Sequence, residues 1–489
     1  MRMNMTRRTF LGTASAGVMA ASAFGQRASG ATGESAIPSA TFTKTCVLRI
    51  YLGSGAGWPN PHVDPDDEMQ RLQQELDKVP GQEDTEFVGN LRVADPGELA
   101  RLLEKYNNVD GVLAVQLSNR TSLLVAVLAN AGIPTIIFAI PYSGHEWSII
   151  PTIQNMGKRI DTILSSNFND ISKAIRPFRA IHRLKETKIL YVGGDRPVSD
   201  GFITEVKNKF GTEIKRFDHQ LLVAAYERID PSAANTEADL WIKNAEKIKE
   251  PSPEEIVKSA RIYLAMKTIL ADEKAQALTI NCLGLFDLNQ LPAYPCLGFC
   301  RLNDSGLVGV CESDMASTLT QVIYQHMEGV PGFVTDPVFD TSNNSVTHAH
   351  CVSATRMDGP DGPSAPYIIR SHHENDQGAS LQVKMRIGQE ITMAKIVAAV
   401  SAAKEMPVLA ATPIGSLGTD VMLVSSATII DVPDVDRGCR TKITTKVRDA
   451  RKMFEGWYHG LHRVIFYGNH IEDTRRLGRM VGFDVIEEG

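Results

Sequence analysis

The sequence predicts an α/β protein: two flavodoxin-like doubly wound domains followed by a C-terminal β-barrel-like domain. Three observations predict it. Between residues 43 and 177, short apolar runs alternate with helical patterns, the arrangement of a parallel sheet covered on both faces. The alternation restarts at Thr187-Lys188-Ile189-Leu190-Tyr191-Val192 and continues to about residue 330. After Cys351 the helical patterns give way to short strands separated by turn residues, which reads as a small barrel within residues 331–489.

The first domain opens on the strand Cys46-Val47-Leu48-Arg49-Ile50-Tyr51. Helices are expected over 68–78, 96–106 and 122–130, with buried strands at 111–115 and 134–139. A glycine-rich loop, Gly53 to Gly57, follows the first strand, but it lacks the G-x-G-x-x-G order and Trp58-Pro59-Asn60-Pro61 replaces a helix start; it reads as a turn. The loop Pro141 to Trp147 offers Tyr142, His145 and Trp147, aromatic and polar groups suited to a sugar ring. The charged stretch 176–186 is expected to mark the boundary with the second domain, here drawn at 177/178. A helix starting Pro253-Glu254-Glu255 and a strand at 277–281 lead to the segment of greatest chemical interest.

That segment begins with an expected reversal at Arg301 to Gly306. Three runs then end at or near ligand-type side chains: Leu307 to Val310 leads to Glu312, Phe333-Val334-Thr335 to Asp336, and Ser345 to Ala349 to His350. Strand ends are where open α/β sheets place their chemistry. A single carboxylate there is more often solvated or a helix cap, and spacing alone does not show convergence. Together, two carboxylates and an imidazole suit a hard or borderline divalent ion such as Mn²⁺, with positions left for substrate oxygens. Farther on, a helix is expected near 447–456, and His459 and His462 have the i, i+3 spacing of one helical face, although a lone structural histidine is the commoner case. His372-His373 reads as surface or supporting groups.

Composition excludes little but is consistent with this reading. The 489 residues are 43% hydrophobic and 22% charged, with net charge −6, a balance that points to neither nucleic acid nor an anionic membrane. Seven cysteines form no C-x-x-C pair; Cys296, Cys300, Cys311 and Cys351 are grouped near the expected site and read as buried thiols, with zinc the alternative. Residues 1–33 are read as an export signal and linker: Thr6-Arg7-Arg8-Thr9-Phe10-Leu11-Gly12 is a twin-arginine pattern, followed by a weak apolar run and the cleavage-type triplet Ala21-Ser22-Ala23. The expected location is periplasmic or otherwise extracytoplasmic.

The motifs Leu302-Asn303-Asp304-Ser305-Gly306, Cys311-Glu312-Ser313-Asp314, Thr335-Asp336 and His348-Ala349-His350-Cys351, with Leu461-His462-Arg463-Val464-Ile465-Phe466 near the C-terminus, resemble the L-fucose/L-arabinose isomerase superfamily. The 24-residue separation of the acids (336 − 312) resembles the fucose branch, and the two histidines the arabinose branch. The resemblance implies an aldose–ketose isomerase acting on a pentose or 6-deoxyhexose through an enediol. It implies Mn²⁺ held by Glu312, Asp336, His350 and His462, with Glu312 and Asp336 also the catalytic base and acid. Asp314 and His348 are the nearest residues to hold the histidines' second nitrogens, and His348, Tyr142, His145 and Trp147 are candidate sugar contacts. A homo-oligomer, trimer or hexamer, is implied. The competing readings are an exported sugar-binding protein and a member of the fold without isomerase activity.

Overall fold

The structure, a computed structural model, describes residues 42–53, 62–398 and 420–489. The twin-arginine pattern and most of the glycine-rich loop lie outside the described residues.

The first sheet contains β1 (Thr45–Leu52), β2 (Thr85–Val93), β3 (Gly111–Gln116), β4 (Thr135–Ala139) and β5 (Ile160–Leu164), all parallel, in the order β2-β1-β3-β4-β5. This is the flavodoxin-like 2-1-3-4-5 order. Residues of β1 alternate between two cores. Val47 and Tyr51 pack with Leu72, Leu76 and Phe178 on one face. Leu48, Ile50 and Leu52 pack with Leu99, Leu103 and Leu124 on the other. Burial on both faces is why the strand reads as a continuous apolar run. Asp64 and Asp95 cap the helices Pro65–Asp77 and Pro96–Lys105, each of which starts with proline.

The expected boundary at 177/178 is crossed by one helix, Ile171–Glu186. Its charged face imitates a linker, but Ile171, Ala174, Ile175, Phe178 and Leu184 are buried at helical spacing. Phe178 enters the first domain's core, and Ala180 and Leu184 enter the next one. Next come β6 (Lys188–Val192), β7 (Glu213–Arg216), β8 (Lys247–Ile248), β9 (Ala277–Ile280) and β10 (Val308–Val310). Apart from β8 they form a second parallel sheet, β10-β9-β6-β7. Arg301 to Asp304, expected to reverse the chain, instead ends the helix Cys296–Asp304; the turn comes at Ser305-Gly306.

The C-terminal region contains β11 (Phe333–Asp340), β12 (Ser345–His350), β13 (Tyr367–Arg370), β14 (Ser380–Val383), β15 (Glu390–Val397), β16 (Val421–Asp431), β17 (Thr441–Lys446), β18 (Arg463–Tyr467) and β19 (Asp484–Glu487). Six of these close an antiparallel barrel, β15-β18-β11-β12-β17-β16, completed by the β15–β16 pairing, with β19 added parallel to β16. Two expected barrel strands, β13 and β14, lie outside it and join β8 in a separate three-stranded sheet. Phe333, Ile391, Met393, Ile429, Ile443 and Ile465 form one barrel core. Val334, Ile396, Val424 and Phe466 pack instead with the helices Met315–Glu328 and Ile471–Val481. The barrel is thereby packed against the second sheet's covering helix. Among the described residues, no helix is long and apolar enough to cross a membrane.

Two buried histidines make the fold acid-sensitive. His348 is fully buried between Thr335 and Thr445, and burial pushes it down to about 3. His326 is bonded to Thr187 and lowered to about 3 by burial and by Arg183 and Arg179. Both are neutral when folded, whereas the unfolded chain takes up protons below about pH 6.5. Stability present above that pH is therefore lost as pH falls towards 3. Between pH 7.5 and 5, His348→Gln should lose less stability, by urea midpoint, than the natural chain does; an unchanged pH dependence in the variant would contradict the assignment.

Candidate metal centre

Local structure and strand register together build one site. β10 ends at Val310, and the backbone then turns sharply: Glu312 and Ser313 both have positive φ, 63° and 56°. Two successive non-glycine residues in this region cost of order 1–3 kcal/mol each and are retained where surroundings impose them. Here the Ser313 amide donates to the Ile280 carbonyl at 3.0 Å, and Arg196 donates to the Glu312 carbonyl at 3.3 Å. Asp314 caps the helix Met315–Glu328 through the Ser317 amide.

The barrel supplies the other three groups. Asp336 on β11 is opposite Ala349, beside His350 at the end of β12. Thr335 on β11 is opposite Arg463 at the start of β18, so one further antiparallel step brings Asp336 to His462. The result is a compact cluster. His462 Nε2 lies 3.0 Å from Asp336 Oδ1 and 3.8 Å from Glu312 Oε2, and His350 Nε2 lies 3.5 Å from Glu312 Oε1. The two imidazole rings meet edge to face with centroids 5.5 Å apart. Ligand-type atoms of Asp336, His350 and His462 all fall within 4.8 Å of one another, as do those of Cys311, Glu312 and His350.

The second nitrogen of His462 is fixed: Nδ1 lies 2.8 Å from Asp314 Oδ2. Asp314 therefore caps a helix and orients a ring with the same carboxylate. His348 does not take the corresponding role for His350; it is turned into the barrel and bonded to threonines, so it is removed from the candidate sugar contacts. The sulfur of Cys311 lies 3.7 Å from His350 Nδ1. Nor do His459 and His462 share a helical face. The helix ends at Glu455, and His459 and Gly460 both have positive φ in the loop that follows.

Electrostatically the cluster favours a cation. His350's hydrogen bond lowers Glu312, against the effect of burial. Burial would raise Asp336 and Asp314, but His462 and other partners outweigh it and lower both, Asp314 well below the usual carboxylate range. Burial disfavours charged His462, but Asp314, Asp336 and Glu312 raise it to about 10. Three ionised carboxylates thus face the His462 imidazolium and, beside Asp314, the Lys395 ammonium. Asp336 Oδ1 is buried without a well-aligned hydrogen bond despite the nearby ring nitrogen. Excess negative charge and an oriented imidazole fit a divalent cation.

His462 is held in place by a group that the sequence analysis did not assign. Arg463 is fully buried and its guanidinium donates to the carbonyls of Tyr458, Gly460 and His462. It also pairs with buried Glu488 at 2.6 Å and lies 3.9 Å above the Trp457 ring. An arginine inside an apolar strand pattern was the available signal. A third ligand-type group, Glu328, His470 and Asp473, is compensated by Arg176 and Arg476 and ties three helices together.

The loop carrying Tyr142, His145 and Trp147 is anchored in the first domain. Buried Glu146 accepts from Gln116 Nε2 at 2.5 Å and from the Thr121 amide at 2.8 Å. Tyr142 and Trp147 are exposed, and Tyr142 has φ 69°. The cluster of Glu312, Asp336, His350 and His462 is thus assembled without them.

Asp314→Asn should separate its two roles. Losing the carboxylate partner of a ligand-type histidine weakens metal affinity by about 10–100-fold. Asparagine retains capping ability, so the stability cost should stay below about 1 kcal/mol. Calorimetric metal titration beside denaturant unfolding would test this; unchanged metal affinity would count against the orienting role.

These features define the class: a three-part α/β and barrel protein with a carboxylate–imidazole centre at the junction of the second sheet and barrel. The family model for the L-arabinose isomerase central domain matches residues 195–329. Sulfoquinovose isomerase of Alkalicoccus urumqiensis is 23% identical over 326 residues, 63% of this chain and 67% of that protein. The sulfoquinovose isomerase of Priestia megaterium is 23% identical over 328 residues, 64% of this chain and 67% of that protein. The chain is thus distantly similar to sugar isomerases of the arabinose/fucose isomerase-like superfamily.

Proposed function

We propose that the protein is a Mn²⁺-dependent aldose–ketose isomerase acting on a pentose or 6-deoxyhexose. The observation that carries this reading is the convergence of Glu312, Asp336, His350 and His462, with Asp314 orienting His462. Those four residues would hold the ion. When bound, it supplies positive charge that polarises a sugar carbonyl and stabilises an enediolate. The chain's own residues then have defined tasks. Glu312 and Asp336 are ionised and adjacent to the same space, so one takes the proton from C2 and returns it to C1. The other carries the hydroxyl proton between O2 and O1. His350 and His462 would supply the imidazole nitrogens, with His462 oriented by Asp314.

Sulfoquinovose is itself a 6-deoxyhexose bearing a sulfonate, so the relatives' substrate falls within the proposed class. The test is incubation of Mn²⁺-loaded protein with L-arabinose, L-fucose, sulfoquinovose and other aldoses in D₂O. Ketose formation, with solvent deuterium entering to the extent that the base exchanges its proton, is expected. A metal-loaded protein that converts no member of the panel would overturn the reading. The proposal extends to export through Thr6–Gly12 and to a homo-oligomer in which the exposed Tyr142–Trp147 loop reaches a neighbouring subunit's sugar site. Cell fractionation and light scattering test those two parts, and a cytoplasmic monomer would contradict both.

A further inference from the structure

All seven cysteines are free thiols, and strand register brings two of them next to each other beside the candidate centre. Cys351 directly follows His350, the last residue of β12, and Cys439 lies two residues before β17. In the β12–β17 ladder His350 is opposite Thr441. One further antiparallel step places Cys351 beside Arg440, next to Cys439. The electrostatics agree with that register, each of the two sulfurs being among the groups that act on the other. Cys351 is only 3% exposed, whereas Cys439 is half-buried, giving a reagent one point of entry. The neighbouring Cys282, Cys296, Cys300 and Cys311 are all buried.

We propose that Cys351 and Cys439 are an oxidation-dependent disulfide pair that fastens the His350 end of β12 to the start of β17. The oxidant is a small-molecule disulfide. The Cys439 sulfur attacks it, giving a mixed disulfide and releasing one small thiol. The Cys351 sulfur then displaces the second small thiol. One protein S–S bond forms as one reagent S–S bond breaks, the two electrons reduce the reagent, and the two protein thiol protons end on the released thiols. The new bond spans 88 positions (439 − 351), a separation at which a cross-link removes substantial freedom from the unfolded chain. It also restrains the backbone that presents His350. Nothing in this step depends on the sugar.

The experiment is to equilibrate native protein with oxidised or reduced glutathione, trap thiols, and map peptides by mass spectrometry. The expected result is a 351–439 linked peptide in the oxidised sample, accessible thiols counted after denaturation falling from seven to five, and a higher melting midpoint. Cys439→Ser should show one midpoint under both conditions and Cys311→Ser should retain the shift. If Cys439→Ser does not fold, the linked peptide in the natural chain still decides. A native oxidised sample without that peptide, or with Cys351 joined to Cys311, would overturn the pairing.

Discussion

Glu312→Gln is expected to lower kcat for isomerisation by at least about 10³-fold, because on the proposed reading one substitution removes both a proton carrier and an anionic ligand. The amide preserves the shape of the side chain but cannot accept the carbon-bound proton or supply the charge that a cation requires. Glutamine also relieves the repulsion between Glu312 and Asp336, which offsets the lost attraction between Glu312 and the His462 ring. The folded state should therefore survive with similar stability while activity is lost. Initial rates across a range of Mn²⁺ concentrations check this. If saturating metal returned the rate to within about tenfold of the natural chain, Glu312 would be a ligand at most and another group would move the proton.

The second large effect concerns Arg463. Arg463→Met leaves Glu488 buried without its partner and should destabilise the protein by about 3–5 kcal/mol, the cost of breaking a buried ion pair on one side. It also frees the carbonyls of Tyr458, Gly460 and His462, so the loop that presents His462 loses its anchor. Both consequences are separable. The double variant Arg463→Met/Glu488→Met removes the orphaned charge and should recover much of the stability, because well-packed apolar replacements of buried pairs are tolerated. It should not recover metal affinity, since the carbonyl contacts remain absent. Denaturant unfolding and metal titration on the two variants test this. Equal metal affinity in the natural chain and the double variant would show that Arg463 stabilises the barrel without positioning His462.

Elements with strong local signals were legible before the structure. The helix Ser122–Asn130 and the helices beginning at Pro96 and Pro253 follow from proline starts and apolar spacing. β2 was missed because it is a half-exposed edge strand, with Gly89 and Asn90 at positive φ where its register with β1 shifts. β8 has two residues, and its pairing with β13 bridges about 120 residues of chain, so neither its existence nor the separate sheet could be read locally. The site shows the same division. Glu312 follows a strand end that the apolar pattern marks, and Asp336 closes an apolar run, although β11 itself continues past it to Asp340. His462 became a candidate only through motif resemblance, because its approach to Asp336 depends on a β11–β18 register between distant segments. The helical face expected for His459 and His462 failed for a local reason, a left-handed backbone at both His459 and Gly460.

The central claim is that Glu312, Asp336, His350 and His462 together hold one divalent ion. Its most direct test is titration of metal-free protein with Mn²⁺, following the free ion by electron paramagnetic resonance. One site per chain in the natural protein, lost in both Glu312→Gln and His462→Ala, is the result the geometry predicts. No binding in the natural chain, or binding that both substitutions leave intact, would contradict it.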